Sequence, residues 1–535
     1  MKEGLRQSMA WLHSWTGLLV GWVLYFVFVT GTFGYVNSEI NRWMRPELPL
    51  AGDLLPAAEM LPAAEKWLRH EAGDAKSWFI FLPGRRGDTQ LEAGWSAWPE
   101  GEERYGAFTR SAIDPRTGLG MKDAVRETEG GDGLYAMHYQ LHYMSYDWAI
   151  RIVGICAMFM LVAILSGIIT HKKIFKDFFT FRPAKGQRSW LDAHNLLSVT
   201  ALPFHLMITW SGLVFFLFTY MPTPIDLLYP EGPARDRFYE RVYGPEEGGA
   251  TAKHGTLQAM APLEPMLAQA ERLWGKGSVS RIIIEHPLRS DAQVRIFAHN
   301  RTQLSRLGPI LHFDGATGAR LPGKGDQEVP SAAFSFALLA AHEGHFAGPI
   351  LRVLYVVAGL AGAAMIATGL LLWSAKRKAK HAKAGTLPAG VALVDILNVG
   401  TIIGLPIGIA AYFWANRLLP AGWEGRGAWE MHLLFAAWAG TFLYAIWRPA
   451  AKVWIELCGV AAAAFGLLPL LNVLATQRHL GVTIPRGDWT LAALDLGALA
   501  LAALFLRMRR TLIAKRDAAP APRRRNAPAQ EAAIA

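Results

Sequence analysis

Eight stretches of roughly twenty apolar residues punctuate this chain, and they constrain its fold more than any other feature. They cover about 10–36, 149–170, 194–220, 350–373, 395–415, 429–447, 453–475 and 488–507. About 20 apolar residues is the length a helix needs to cross the hydrocarbon of a bilayer. Only 18% of the 535 residues are charged, against roughly 25% in soluble domains. The expected fold class is an α-helical multi-pass membrane protein with about eight transmembrane helices.

The formal charge of +11 raises a nucleic-acid reading, and the placement of the charge excludes it. Basic residues cluster in KKIFKDFFTFRPAKGQR after the second run, in KRKAKHAK after the fourth, at Arg448 and Lys452, and in RMRRTLIAKR and PRRR near the end. If eight helices cross in turn, all of these fall on one side, which is the positive-inside pattern. The partner is then the lipid bilayer, with both termini cytoplasmic. Segments 37–148 and 221–349 face the other side. The first run is too long for a signal-peptide core and reads as a retained helix. Cys156 and Cys458, the only cysteines, both fall inside apolar runs. That rules out a disulfide scaffold, a four-cysteine iron–sulfur site and C-x-x-C-H haem attachment. There is no P-loop signature and no G-x-G-x-x-G in a strand–helix setting.

The first 373 residues read as a duplication. His13 precedes Gly31 by 18 positions, and His194 precedes Gly212 by 18 positions. The second run ends at Gly167 with His138, His142 and Arg151 upstream, and the fourth ends at Gly369 with His342, His345 and Arg352 upstream. The segments between also match. Each has an amphipathic helix (LLPAAEMLPAAEKWLRHEA; LEPMLAQAERLW), then strand-like runs, then an Asp-x-x-x-Gly turn at Asp114–Gly118 and Asp314–Gly318. A type I turn closed by glycine suits that spacing. The expected organisation is therefore helix 1 (1–36), an α+β domain (37–148), helices 2 and 3 with a basic loop (149–220), a second α+β domain (221–349) and helix 4 (350–373). A basic loop (374–394), four accessory helices (395–507) and a basic tail (508–535) follow. A pseudo-twofold axis normal to the membrane relates the repeats.

Ionisable groups in membrane helices usually face the bundle interior and mark function. His13 and His194 fall near the cytoplasmic ends of helices 1 and 3, and His142 and His345 at the outer ends of helices 2 and 4. A twofold axis between two imidazoles can hold a planar group with two axial positions, as bis-histidine haem does. Without a C-x-x-C-H motif such haem is b-type. His205 lies 11 residues after His194, about 16 Å along the helix on the same face, so one helix can serve two stacked haems. It has no equivalent in helix 1 and is an alternative to an outer histidine. His138, His342 and His171 are second-tier ligands. Arg151 and Arg352 sit where haem propionates can be paired, although an interfacial arginine more commonly snorkels to headgroups. HEGH lacks the H-E-x-x-H spacing of a zinc protease. Gly31, Gly167, Gly212 and Gly369 read as close helix-packing positions.

The four-helix repeat carrying WLHSWTGLLVG, HYQLHY, DAHNLLSV and HEGHFAG resembles the PepSY-associated transmembrane helix family, the iron-regulated membrane proteins of bacterial inner membranes. The extracytoplasmic units ending in AIDPRTG and HFDGATG resemble PepSY domains. The match spans about residues 8–380. Some members are siderophore-iron reductases, so the resemblance implies an inner-membrane oxidoreductase with two haems b. Electrons would come from a quinol or a cytoplasmic reductase and reach a ferric siderophore or iron chelate. It implies haem ligands among His13, His142, His194, His205 and His345 without pairing them. Two alternatives stand beside it: a haem-free transporter or permease component, and a membrane-anchored PepSY module that binds or regulates proteins.

Overall fold

The computed structural model describes residues 4–518 apart from 85, 87, 100–105, 122–123, 172–180, 183–184, 231, 244–254, 300–303, 306–307, 323–329 and 382–385. Most of the basic loop after the second apolar run and the tail from 519 lie outside the described residues.

The apolar runs fold as helices. α1 (Leu5–Phe33) continues into α2 (Asn37–Met44). The amphipathic α3 (Ala57–Glu71) precedes strands β1 (Ser77–Phe81), β2 (Glu92–Ser96) and β3 (Phe108–Ala112). α4 (Gly130–Gln140) returns the chain to the membrane and α5 (Tyr146–Thr170) crosses it. The third run is broken into α6 (Gln187–Thr200) and α7 (Leu202–Phe215), bent by 68° at Ala201. Pro203 lies in the first turn of α7, where its missing N–H costs nothing. The second unit adds α8 (Leu263–Trp274), β4 (Val279–Glu285), β5 (Gln293–Ala298), β6 (Ile310–Asp314) and β7 (Arg320–Leu321). It then enters α9 (Pro330–Glu343) and the long α10 (Pro349–His381). The last region is α11 (Ala389–Ile402), α12 (Gly404–Leu418), α13 (Arg426–Trp447), α14 (Ala450–Gly466), α15 (Leu468–Ala475) and α16 (Trp489–Asp517).

Among the described residues, six of these segments are long and apolar enough to cross a membrane, seven if the bent pair is one span. This corrects the expectation of about eight. The run at 429–447 forms a helix, α13 over Arg426–Trp447, but is not among them. It carries Arg426 and Glu430 in its first turns and interfacial-type aromatics at Trp429, Trp438, Tyr444 and Trp447.

A second correction concerns the extramembrane units. They do not form two separate domains but share one antiparallel sheet in the order β3-β2-β1-β4-β5-β6-β7. β1 and β4 pair with Phe79 opposite Ile283 and Ile80 opposite Ile282. Each unit alone would leave β1 or β4 as an unpaired edge, and joining them removes both edges. Alternation then puts Trp78, Ile80, Ile282, Ile284, Val294 and Ile296 on one face, all fully buried. α3 and α8 cover that face with Leu61, Ala64 and Leu68, and with Leu263, Met266 and Leu267. The repeated turns match: Gly118 N–H donates to Asp114 O at 2.8 Å and Gly318 N–H to Asp314 O at 2.9 Å. Both glycines have positive φ (+71° and +73°), a conformation that L side chains resist.

The accessory helices are tied to the first repeat by buried polar groups. Arg42 of α2 pairs with Asp488, both side chains 2% exposed. Asp495 accepts from Trp43 Nε1 at 3.0 Å and from Asn472 Nδ2 at 2.9 Å. The Arg417 guanidinium lies 3.8 Å from the Trp43 ring centroid and donates to Asn472. Arg426 pairs with Glu430, which also accepts from Thr128 and Asn416. Such groups persist in an apolar bundle only when paired.

Candidate functional site

Two pairs of imidazoles face each other between the repeats. His13 of α1 and His194 of α6 have ring centroids 6.1 Å apart. His138 of α4 and His342 of α9 also have centroids 6.1 Å apart. A metal held between two imidazoles puts the centroids roughly 6 Å apart, because each metal–nitrogen bond is about 2 Å. The pairs lie at different depths. His138 rests against Gly31, and 18 positions of α1 separate that glycine from His13. That is roughly 27 Å along the helix.

Each ring is oriented by the other nitrogen. Nδ1 of His13 donates to Ala163 O at 2.8 Å, Nδ1 of His194 to Met365 O at 2.8 Å, and Nδ1 of His138 to Val27 O at 2.7 Å. A carbonyl can only accept, so Nδ1 carries the proton and Nε2 keeps its lone pair. His342 Nδ1 meets Ser211 Oγ at 2.9 Å. That hydroxyl donates to Met207 O at 2.6 Å, so it accepts from His342. Fixing one nitrogen to aim the other is how proteins prepare metal-ligating histidines.

Four glycines complete the arrangement. A Cβ at Gly167 would lie 3.2 Å from His13 Cε1, at Gly369 3.1 Å from His194 Cε1, and at Gly212 3.0 Å from His342 Cε1. At Gly31 it would collide with the His138 ring. The glycines expected to admit a neighbouring helix therefore admit an imidazole, one per ring. Repeat symmetry relates His13–Gly167 to His194–Gly369, and His138–Gly31 to His342–Gly212.

The outer pair opens into a cavity of about 610 Å³ lined by α1, α4, α5, α7, the end of α9 and α10. Its walls are mixed: Leu24, Val27 and Met160 are apolar, whereas Tyr35, Tyr135 and Tyr139 carry hydroxyls. Both the size and the apolar lining with a few convergent polar groups are typical of a cofactor pocket.

The other expected residues are placed differently. His142 is not brought opposite His345. α4 ends in Leu141, His142 and Tyr143 with φ of +55°, +51° and +54°, and this left-handed turn stacks the His142 ring on Phe435 of α13 at 5.2 Å. His345 stays at the cavity wall, its Nε2 3.3 Å from Glu343. His205 is 1% exposed and lies between the two layers, with Nε2 3.3 Å from Ala358 O and its ring 5.9 Å from Phe28. No second imidazole faces it among the described residues. His171 Nε2 meets the Asn195 amide at 2.9 Å. Arg352 is paired with Glu39 at 2.6 Å. Arg151 is exposed beside the Trp148 ring. Neither arginine lines the cavity. The arginine that sequence reasoning missed is Arg86. It reaches from the β1–β2 loop to Gly344 O at 3.0 Å and Gly34 O at 3.5 Å, just beyond the outer pair. Nothing in its local sequence signals that reach.

The family model for the PepSY-associated TM region matches residues 10–376. A relative from Pseudomonas aeruginosa, the uncharacterized protein PA4219, is 26% identical over 376 residues, covering 66% of this chain and 89% of its own. The matched span contains both histidine pairs, all four glycines and the shared sheet, and it stops before the accessory helices. This chain is thus a multi-pass membrane protein of the PepSY-associated TM region family.

Proposed function

We propose that this protein is an inner-membrane electron carrier holding two b-type haems, and that it reduces ferric iron or a ferric siderophore on the outer face of the membrane. The observation that carries this reading is the two-layer arrangement of facing imidazoles, each pair with centroids 6.1 Å apart and each ring fixed through Nδ1. His13 and His194 would hold the inner haem, and His138 and His342 the outer one. Haem bound at these sites supplies one-electron transfer.

The chain's own residues do the rest. The backbone carbonyls of Ala163, Met365 and Val27 hold three imidazoles as Nδ1–H tautomers. Between the pairs, the His205 ring packs edge-on against Phe28 and Phe204. The shared sheet lies over the outer pair, with Arg86 bridging it to the membrane helices. A ferric chelate meeting the protein on that side loses affinity for its iron on reduction, because Fe(II) is less charged than Fe(III) and less suited to hard oxygen ligands. Electrons enter at the inner pair from a quinol or a cytoplasmic reductase. The basic ends of α10 and α16 belong on the cytoplasmic side by the positive-inside pattern.

The test is the optical spectrum of protein purified after haem-supplied expression. Two haems per chain, reducible by dithionite and reoxidised by a ferric chelate, are expected. Protein without a Soret band, or haem that ferric chelates do not reoxidise, would overturn the reading.

A further inference from the structure

One helical turn below the inner pair, towards the basic ends of the helices, lie two buried hydrogen-bond donors without acceptors. His13 rests on Gly167 and His194 on Gly369. Four positions on come His171, which caps α5, and Trp373 within α10. They are equivalent positions of the two repeats. Trp373 Nε1 and His171 Nδ1 are both buried and have no hydrogen-bond partner among the described residues. The His171 tautomer follows from its other nitrogen: Nε2 accepts from Asn195 Nδ2 at 2.9 Å, so the proton sits on Nδ1. Leaving a buried donor unmade costs about 1–3 kcal/mol, and native structures keep few of them.

The surroundings point to the missing acceptor. One further turn along α10, the Arg377 guanidinium lies 3.5 Å from the Trp373 ring centroid and 5.4 Å from that of Trp15. Trp15 itself packs edge-on against Trp373 at 6.3 Å. Two neutral N–H donors, one of them on a ring that carries a stacked guanidinium, suit carboxylates, which accept at several lone pairs and need no donor in return. Arg151 and Arg352 leave this role open, since one lies beside Trp148 and the other is held by Glu39.

We propose that His171, Trp373 and Arg377 form a carboxylate-binding floor that takes the propionates of the inner haem and turns them towards the cytoplasmic surface. This rests on the haem reading above. It adds an orientation: the propionate edge of the inner haem faces the side from which electrons arrive. The same donor set would also accept a lipid phosphate, so the experiment separates the two.

Detergent-purified apoprotein is loaded with haem b or with haem b dimethyl ester, which lacks the carboxylates. Binding is read by Soret titration and the midpoint potentials by spectroelectrochemistry. Wild type should bind the free acid roughly tenfold more tightly than the ester, the scale of one or two charge-assisted hydrogen bonds. Trp373→Phe keeps the stacking ring and removes only the N–H, and Arg377→Gln removes only the charge. Each should shrink the preference to roughly threefold or less. Arg377→Gln should also lower one midpoint potential and leave the other in place, because loss of a nearby positive charge favours the ferric state. Equal binding of acid and ester by wild type, or an unchanged preference in both variants, overturns the proposal and assigns the floor to lipid or water. Protein that takes up neither form overturns the haem reading as well, so the two failures are distinct.

Discussion

Gly31 and His138 fit together with no space between them: a Cβ on Gly31 would run into Nδ1 of the imidazole, the atom that donates to Val27 O. The contact ties the tolerance of one membrane-helix position to the aim of a side chain over a hundred residues away. Gly31→Ala should displace His138 and cut haem content by about half, since orienting contacts of a metal ligand carry 10–100-fold in affinity. Gly167→Ala should cost less, because the nearest atom is a ring carbon at 3.2 Å that a small rotation clears. Pyridine haemochrome assay of both variants checks the order.

The pairing makes a pattern of four losses and two retentions. His13→Ala or His194→Ala should remove one haem, and His138→Ala or His342→Ala the other. A His13→Ala/His138→Ala double variant should hold none. His142→Ala and His345→Ala should keep both, because one ring stacks on Phe435 and the other meets Glu343. Haem lost from His142→Ala with His138 intact would move the outer site.

The accessory helices should matter for stability through Arg42 and Asp488. Both side chains are 2% exposed. Arg42→Ala leaves a buried carboxylate and should destabilise the protein by about 3–5 kcal/mol, whereas replacing both partners with apolar residues should come much closer to wild type. Thermal unfolding in detergent, followed by tryptophan fluorescence, measures the difference.

The twin turns of the sheet predict an acid dependence. Asp314 accepts from Thr317 N at 2.8 Å, Thr317 Oγ1 at 2.8 Å and Ala316 N at 3.1 Å. Asp114 accepts from Arg116 N at 2.9 Å and Thr117 Oγ1 at 2.8 Å. In both turns backbone N–H donors, with the threonine hydroxyl, hold the carboxyl below the usual aspartate range. A lowered folded pKa means that the contribution is fully present above the unfolded value of about 3.9. It is lost as pH falls through the folded value. Asp114→Asn/Asp314→Asn should flatten the acid limb of the stability profile below about pH 4 and leave haem content unchanged. An acid limb as steep as that of wild type would count against it.

Much of the membrane architecture was legible in the sequence. Apolar length alone marks the helices, because the bilayer sets the length and every backbone group must be satisfied within the helix. The inner pair was legible too. His13 and His194 recur at the same distance from Gly31 and Gly212, and a duplication with a twofold axis puts such residues face to face. The outer pair was not. His138 and His142, like His342 and His345, are about a turn apart, and periodicity cannot say which turn points inward. Tertiary structure decides it twice over: Gly31 and Gly212 offer the clearance that an imidazole needs, and the left-handed turn at Leu141–Tyr143 swings His142 towards α13. The same limit applies to the sheet. Each strand's alternation was readable, but the pairing of β1 with β4 joins residues some two hundred positions apart. Only the assembled repeat brings those two edges together.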